Sequence, residues 1–192
     1  MSSIMTSRQA AELDLALERC GWTAKDVKDL SSGDKLEKVL LFVRKLAKIK
    51  IIKPIINCSA QPFIPGGWSI HPEDQLPNRI TTKDFEFNPK NFSLYLSDKQ
   101  KQGAIGGNQL KEELKNQKVL TANVLDYLLE HPELIPEEWK GKAIFFWGTI
   151  YRNSDGFLSV RYLFWDGDGW RWLCRWLDND WLDYNPAVCV GV

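Results

Sequence analysis

The sequence predicts an α+β protein in which a small helical N-terminal segment precedes a domain built on a mainly antiparallel sheet. Apolar residues recur at helical spacing through the first fifty positions, and they alternate at strand spacing after Ala143. The composition also changes, because every Lys, Glu, Gln, Met and His lies at or before Lys142. We therefore expect a helical segment over residues 1–50 and a second domain over 51–192.

Charge and cysteine content narrow the class of protein. The chain has 192 residues, with 25 basic and 25 acidic side chains, so no overall field favours nucleic acid or an anionic membrane as partner. Basic residues interrupt its most apolar stretch, VLLFVRKLAKIKIIKPII, and no export signal precedes it. We expect no membrane span and, by default, a cytoplasmic location. The four cysteines, 20, 58, 174 and 189, share no close spacing, which favours free thiols.

Three short helices are predicted in the N-terminal segment. Ser7 is placed to cap the first, which Gly21 ends, and Thr23 is placed to cap the second. Asp34 followed by Glu37 resembles a capping box before the third helix. These helices predict a bundle or a docking segment, through which the chain could form a homo-oligomer.

The end of this segment is basic. A solvated helix face is the favoured interpretation, and a nucleic-acid-binding module within residues 1–53 is an alternative. The basic residues are Arg44, Lys45, Lys48, Lys50 and Lys53.

The second domain is predicted to begin with strand and loop over residues 51–90. FSLYL (92–96) alternates as a strand, and helices are expected over 108–117 and 121–131, the latter ended by Pro132, before a short turn at PEEWK. Three strands follow near 143–152, 157–165 and 170–177, joined by the turns NSDG and DGDG, and PAVCVGV forms a last strand. The expected order is strand, helix, helix and four strands.

Candidate catalytic and metal sites are weak. Cys58 with His71 or His131 has the chemistry of a nucleophile and base, but no third residue is placed to orient them. Cys58, His71 and Asp74 lack the spacing of a zinc site, and the acidic turns near residue 166 lack that of a calcium loop. We therefore expect no catalytic residues, no metal and no cofactor, and keep a small hydrolase using Cys58 and His71 as an alternative.

Tryptophan is concentrated at regular positions near the C-terminus. In WRWLCRWL, Trp170, Trp172 and Trp176 share parity with Cys174, whereas the opposite face of a strand receives Arg171, Leu173, Arg175 and Leu177. We expect the tryptophans to be more buried than the arginines and Leu173. A small aromatic core accounts for their positions. It does not account for the absence of Lys, Glu and Gln over the last fifty residues.

Several blocks of the sequence resemble a bacterial protein family of uncharacterised function. They are ANVLDYLLEHPELIPEEWKGK, FFWGTIYRNSDG, VRYLFWDGDGWRW and WLDNDW followed by NPAV. Members of that family keep these blocks and differ between the C-terminal tryptophans, a pattern similar to that of the variable proteins of diversity-generating retroelements. This resemblance implies a C-type lectin fold over residues 51–192, with a variable segment at about 165–188.

The resemblance also implies which residues vary. Mutagenesis directed at adenines rewrites AAY codons, which can give many residue types but never Lys, Glu, Gln, Met or Trp. The expected scaffold is Trp170, Trp172, Trp176 and Trp181. The expected ligand-binding surface is Arg171, Leu173, Cys174, Arg175, Asp180, Leu182, Asp183 and Tyr184. The implied function is ligand binding rather than catalysis, with a protein or other macromolecule as partner and nucleic acid not expected.

Overall fold

The computed structural model describes residues 4–47 and 53–191. Contacts within the chain divide it into two compact units, with the boundary between residues 52 and 53. Within the described residues, every helix is too short or too polar to cross a bilayer.

The first unit contains three helices, α1 (Ser7–Arg19), α2 (Ala24–Leu30) and α3 (Lys35–Val43). None of the residues within these helices is buried. Two of the basic residues noted above, Lys48 and Lys50, lie outside the described residues.

Whether the residue before each of these helices caps it depends on the backbone conformation of that residue. Thr6, rather than Ser7, caps α1, and Thr23 caps α2 as predicted. Both have extended backbones, with ψ of 160° and 164°, which let the hydroxyl reach the third amide of the helix. The capping box predicted at Asp34 is wrong. Its ψ of 9° is not extended, its side chain makes no capping hydrogen bond, and its carboxylate pairs instead with Lys38 at 2.9 Å.

The second unit is mixed α and β, which confirms the predicted class. Its strands and helices, in chain order, are β1 (Ile55–Ile56), β2 (Phe85–Glu86), β3 (Phe92–Tyr95), α4 (Asp98–Gln102), β4 (Ile105–Gly106), α5 (Gly107–Leu114), α6 (Ala122–Glu130), β5 (Ile144–Arg152), β6 (Leu158–Trp165), β7 (Trp170–Trp176), β8 (Asp180–Trp181) and β9 (Ala187–Val190). Four short 3₁₀ turns lie between them, at Pro72–Asp74, Pro89–Asn91, Pro132–Leu134 and Glu137–Trp139.

The main sheet has five strands in the order β3, β9, β5, β6 and β7. All neighbours are antiparallel except β5 and β9, which run parallel where Phe145 lies opposite Ala187. The three strands predicted from alternation and Asp-Gly turns are therefore found as β5, β6 and β7, within a residue or two of their expected ends. Two small antiparallel pairs, β1 with β2 and β4 with β8, lie outside this sheet.

Apolar cores cover both faces of the sheet. Helix α6 packs on one face, where Ile144 and Phe146 of β5 join the first core. Helix α5 and β8 contribute to a second core, which receives Phe145 and Trp147. Because β5 is buried on both sides, it reads as a continuous apolar run rather than an alternating one.

Candidate binding surface

Strand β7 is an edge strand of the main sheet, and its two faces differ in chemistry. Its register with β6 places Trp172 opposite Leu163 and Trp176 opposite Ser159. We call this side, with Trp170, Trp172, Cys174 and Trp176, the tryptophan face. The other side, with Arg171, Leu173, Arg175 and Leu177, is the display face.

Aromatic contacts hold the tryptophan face. Trp172 meets Phe63 with ring centroids 5.4 Å apart, and Trp176 meets Trp68 at 5.1 Å. The guanidinium of Arg161, on β6, lies 4.3 Å from the Trp172 ring centroid. Trp172 and Trp176 are half-buried, whereas Arg171 and Leu173 across the strand are exposed and Arg175 is half-buried. The tryptophans are thus more buried on average than these three residues of the opposite face, as predicted. They are not fully buried, as a rigid scaffold would require.

Trp181 has a different setting from the other three scaffold tryptophans. It lies on β8, in the second core, and is fully buried. Its ring centroid is 4.2 Å from that of Phe145 and 4.6 Å from that of Trp147. Gly107 allows this packing, because a Cβ atom there would stand 2.5 Å from the carbonyl oxygen of Leu177.

Cys174 does not share a face with its predicted partners in the binding surface. It lies on the tryptophan face, opposite Arg161. Burial raises the pKa of the Cys174 thiol to about 11. Its side chain therefore belongs with the packed tryptophans rather than with exposed Arg171 and Leu173.

The display face is exposed at one end of β7 and covered at the other. Arg171 forms ion pairs with Asp166 and Asp168, which lie in the preceding turn, and 51% of Leu173 is exposed. Arg175 is held by two hydrogen bonds to the carbonyl oxygen of Asp180, the shorter at 2.6 Å. Leu177 is buried in the second core. Position along the strand, not parity alone, decides which of these side chains reaches solvent.

Of the remaining predicted residues, exposed Asp180 lies on β8, and the loop after β8 carries the other three and is fixed through its main chain. The side-chain amide of Gln100 donates to the carbonyl oxygens of Leu182 at 2.9 Å and Asn185 at 3.1 Å. Asn185 in turn accepts from the amide of Leu182 at 3.0 Å, and the carbonyl of Tyr184 accepts from the amide of Ala143 at 2.9 Å. Gln100 and Asn185 are both buried.

The side chains of this loop take little part in holding it. Asp183 and Tyr184 are exposed and Leu182 is half-buried. Leu182 and Tyr184 enter the hydrogen bonds described above through backbone atoms alone. The identity of the residues at 183 and 184 is therefore not what fixes the path of the chain.

Tyr162, on β6, lies on the same side of the sheet as the display face. It lies opposite Leu173 on β6. Burial raises the pKa of its phenol, Arg175 opposes that rise, and Tyr184 is close enough to add to it. Tyr162 is thus the cross-strand neighbour of Leu173 on the display-face side of the sheet.

The catalytic candidates are not brought together. Cys58 is buried, which raises the pKa of its thiol. His71 has a different partner, since its Nε2 lies 2.9 Å from Ser69 Oγ. The ring of His131 packs on Tyr127 with centroids 4.4 Å apart. In residues 4–47 and 53–191, no hydrogen bond joins Cys58 to either histidine.

Asp74, the third residue of the zinc candidate, is paired with an arginine. Its carboxylate accepts from Arg152 at 2.6 Å and 2.9 Å in a bidentate arrangement. The part of the chain that the structure describes contains no cluster of three potential metal-binding side chains.

Gln100, Asn185, Phe63 and Trp68 support the surface and were missed by the sequence analysis. Gln100 did carry a local signal, since Ser97 and Gln100 form a capping box at the start of α4. That signal predicts a helix start, but not a contact with a loop 82 residues later.

Comparisons with protein-family models, with curated proteins and with solved structures find no match for this chain.

Proposed function

We propose that the second unit is a ligand-binding protein with a C-type lectin-like fold, which displays exchangeable side chains as the variable proteins of diversity-generating retroelements do. The order of elements supports the fold. Strand β3, helices α5 and α6, strands β5 to β7 and the closing strand β9 follow the order expected of that core, and β9 pairs with β3, the first strand of that order.

The anchoring of the loop at residues 182–185 is the observation that carries this proposal. A surface whose residues change must keep its backbone when they do. Here buried Gln100 and Asn185 hold the loop by its main chain, and the exposed side chains of Asp183 and Tyr184 are left free. Selection for binding can then act on these side chains at little cost to folding.

The chemistry of the exposed residues suits a macromolecular ligand. We define the display surface as Arg171, Leu173, Asp183 and Tyr184, all of which are exposed. Tyr and Arg are the residues most often found as energetic anchors of protein interfaces. Arg175 lies beside this surface, but it is half-buried and its guanidinium donates to the carbonyl oxygen of Asp180, so we leave it out of the display surface.

A randomised library tests the proposal. Residues 171, 173, 183 and 184 are replaced by NNY codons, which encode the residues that AAY mutagenesis can reach, and the library is selected against one defined protein such as lysozyme. A matched library randomises four exposed positions elsewhere on the same unit, Lys83, Asp84, Lys90 and Lys99. We expect most members of both libraries to fold, and binders to emerge from the first only. Equal yields of binders from the two libraries, or a first library that is mostly unfolded, would contradict the proposal.

The coding DNA offers a second test. A variable protein of this kind requires a reverse transcriptase gene nearby and a near-copy of its 3′ coding end that differs only at adenines. Sequencing the flanking DNA decides whether these are present, and mismatches spread over all four template bases would exclude the mechanism.

A further inference from the structure

A cleft of about 800 Å³ lies beside the tryptophan face. Its walls come from the loop over residues 58–70, from the segment around Arg79 and from the start of α6. This volume falls within the range of small-molecule sites and is much larger than one inorganic ion requires. None of the display surface lines it.

Arg79 is the only charged side chain among the residues that line this cleft. It is half-buried, and within residues 4–47 and 53–191 it has no hydrogen bond and no ion pair. Other arginines near the sheet are matched, Arg152 by Asp74 and Arg161 by Asp126. A partly buried guanidinium is normally paired, since removing it from water is costly. Arg79 therefore lacks the partner that its surroundings call for.

Hydrogen bonds of the two neighbouring residues hold the segment that carries Arg79 in place. The side-chain amide of Asn78 donates to the carbonyl oxygen of Leu114 at 2.8 Å and also to that of Gln117. On the other side, the Ile80 amide donates to the carbonyl oxygen of Val119 at 3.0 Å. The segment that presents the guanidinium is thus fixed before any ligand arrives, which lowers the entropy cost of binding.

The remaining walls supply donors and an apolar surface. The Thr81 hydroxyl lines the cleft, together with the hydroxyls of Ser59 and Ser69, which already donate within the chain, and Thr121 and Asn123 bring the start of α6 to the cleft. The Thr121 side chain makes no capping hydrogen bond, and the first amide of α6, that of Ala122, donates instead to Thr149 Oγ1 at 3.0 Å. Trp68 provides a flat apolar wall.

We propose that this cleft binds a small organic anion, whose single carboxylate or phosphate group pairs with Arg79 while its apolar body packs against Trp68. The planar guanidinium fork matches both oxyanions. The absence of any acidic side chain from the lining removes the repulsion that would oppose such a ligand.

Calorimetric titration of the full chain with three probes tests this site. Benzoate and phenyl phosphate carry the two anionic groups, and benzamide is the neutral counterpart of benzoate. We expect at least one anion to bind at least about tenfold more tightly than benzamide, since hydrogen bonds to charged groups contribute this much to an equilibrium. The anion that binds more tightly shows whether the site prefers a carboxylate or a phosphate group. Benzamide binding as tightly as both anions, or no binding of either anion at millimolar concentration, would overturn the proposal.

Substitutions then locate the binding. Arg79→Gln should lower the affinity for the anion at least about tenfold while leaving weak benzamide binding unchanged, and Arg79→Lys, which keeps the charge but not the fork, should lose less. The matched control is Arg8→Gln, at an exposed arginine of the first unit, which should bind as the unmodified chain does. Thermal unfolding of each variant shows whether it is folded. If Arg79→Gln is unfolded, Arg79→Lys alone decides, and an unchanged anion affinity in the folded Arg79 variant places the anion elsewhere.

Discussion

Replacing Gln100 with alanine tests whether the hydrogen bonds of this buried side chain hold the loop at residues 182–185. Gln100 is 1% exposed and makes three hydrogen bonds through its side chain. Its amide nitrogen donates to the carbonyls of Leu182 and Asn185, and its amide oxygen accepts from the amide of Ser97 at 3.0 Å. Alanine removes all three and leaves the Asn185 carbonyl and the Ser97 amide without partners, whereas the Leu182 carbonyl keeps its hydrogen bond from the Asn185 amide at 3.0 Å.

The expected loss follows from these contacts. Each hydrogen bond contributes about 1 kcal/mol net, so Gln100→Ala should lower the free energy of unfolding by about 3 kcal/mol. In a domain of this size that corresponds to a fall in Tm of roughly 6–12 °C. By contrast, Tyr184→Ser and Leu173→Asn, at exposed display positions, should each change the free energy of unfolding by less than about 0.5 kcal/mol.

Near-ultraviolet circular dichroism during urea unfolding measures the free energy of unfolding of the second unit, because every tryptophan except Trp22 lies beyond residue 53. Gln102→Ala is the matched control, since Gln102 is an exposed glutamine on the same helix. If Gln100→Ala unfolds within about 0.5 kcal/mol of the unmodified chain, the loop is not held by this side chain and the observation behind the proposed function fails.

Three further changes probe the packing around the surface. Asp126→Ala leaves the guanidinium of Arg161, 1% exposed, without its carboxylate and should cost about 3 kcal/mol in urea unfolding; no measurable loss would mean that the pair is not formed. Gly107→Ala would place a Cβ atom 2.5 Å from a backbone carbonyl oxygen and should cost roughly 1–3 kcal/mol; a thermal melt equal to that of the unmodified chain would contradict this packing. Exposed Cys20 should react with a thiol reagent at pH 8 well before buried Cys189, whose pKa burial raises to about 12 and which is therefore thiol rather than thiolate at that pH; equal rates in the folded protein would contradict its burial.

Strands β5, β6 and β7 could be predicted because their signals are local. Alternation and the Asp-Gly turns are read within a few residues of each strand, and the observed ends agree closely. The predicted box at Asp34 failed for an equally local reason, since composition does not reveal the backbone conformation that lets a side chain cap a helix. The cap at Thr23 succeeded because its backbone is extended.

The surface itself was only partly predictable. Parity along β7 correctly separated Trp172 from Leu173, but it could not show what covers each face. The second core buries Leu177, and the carbonyl of Asp180 binds Arg175, so the display face closes at one end. Such contacts join residues that are distant in the sequence, or they depend on the conformation of a turn. Alternation along a strand does not predict them.

The cleft and the display surface lie on different sides of β7, and this separation has a physical consequence. Trp68 lines the cleft and packs on Trp176, which belongs to the tryptophan face. Leu173 points from the opposite face, where its cross-strand neighbour is Tyr162. A change of side chain at Leu173 therefore alters no group that lines the cleft. Under the proposed function, the tryptophans of β7 that lie between the two places would let the display surface vary while the cleft keeps its lining, so the surface could change what it binds without changing the proposed Arg79 site.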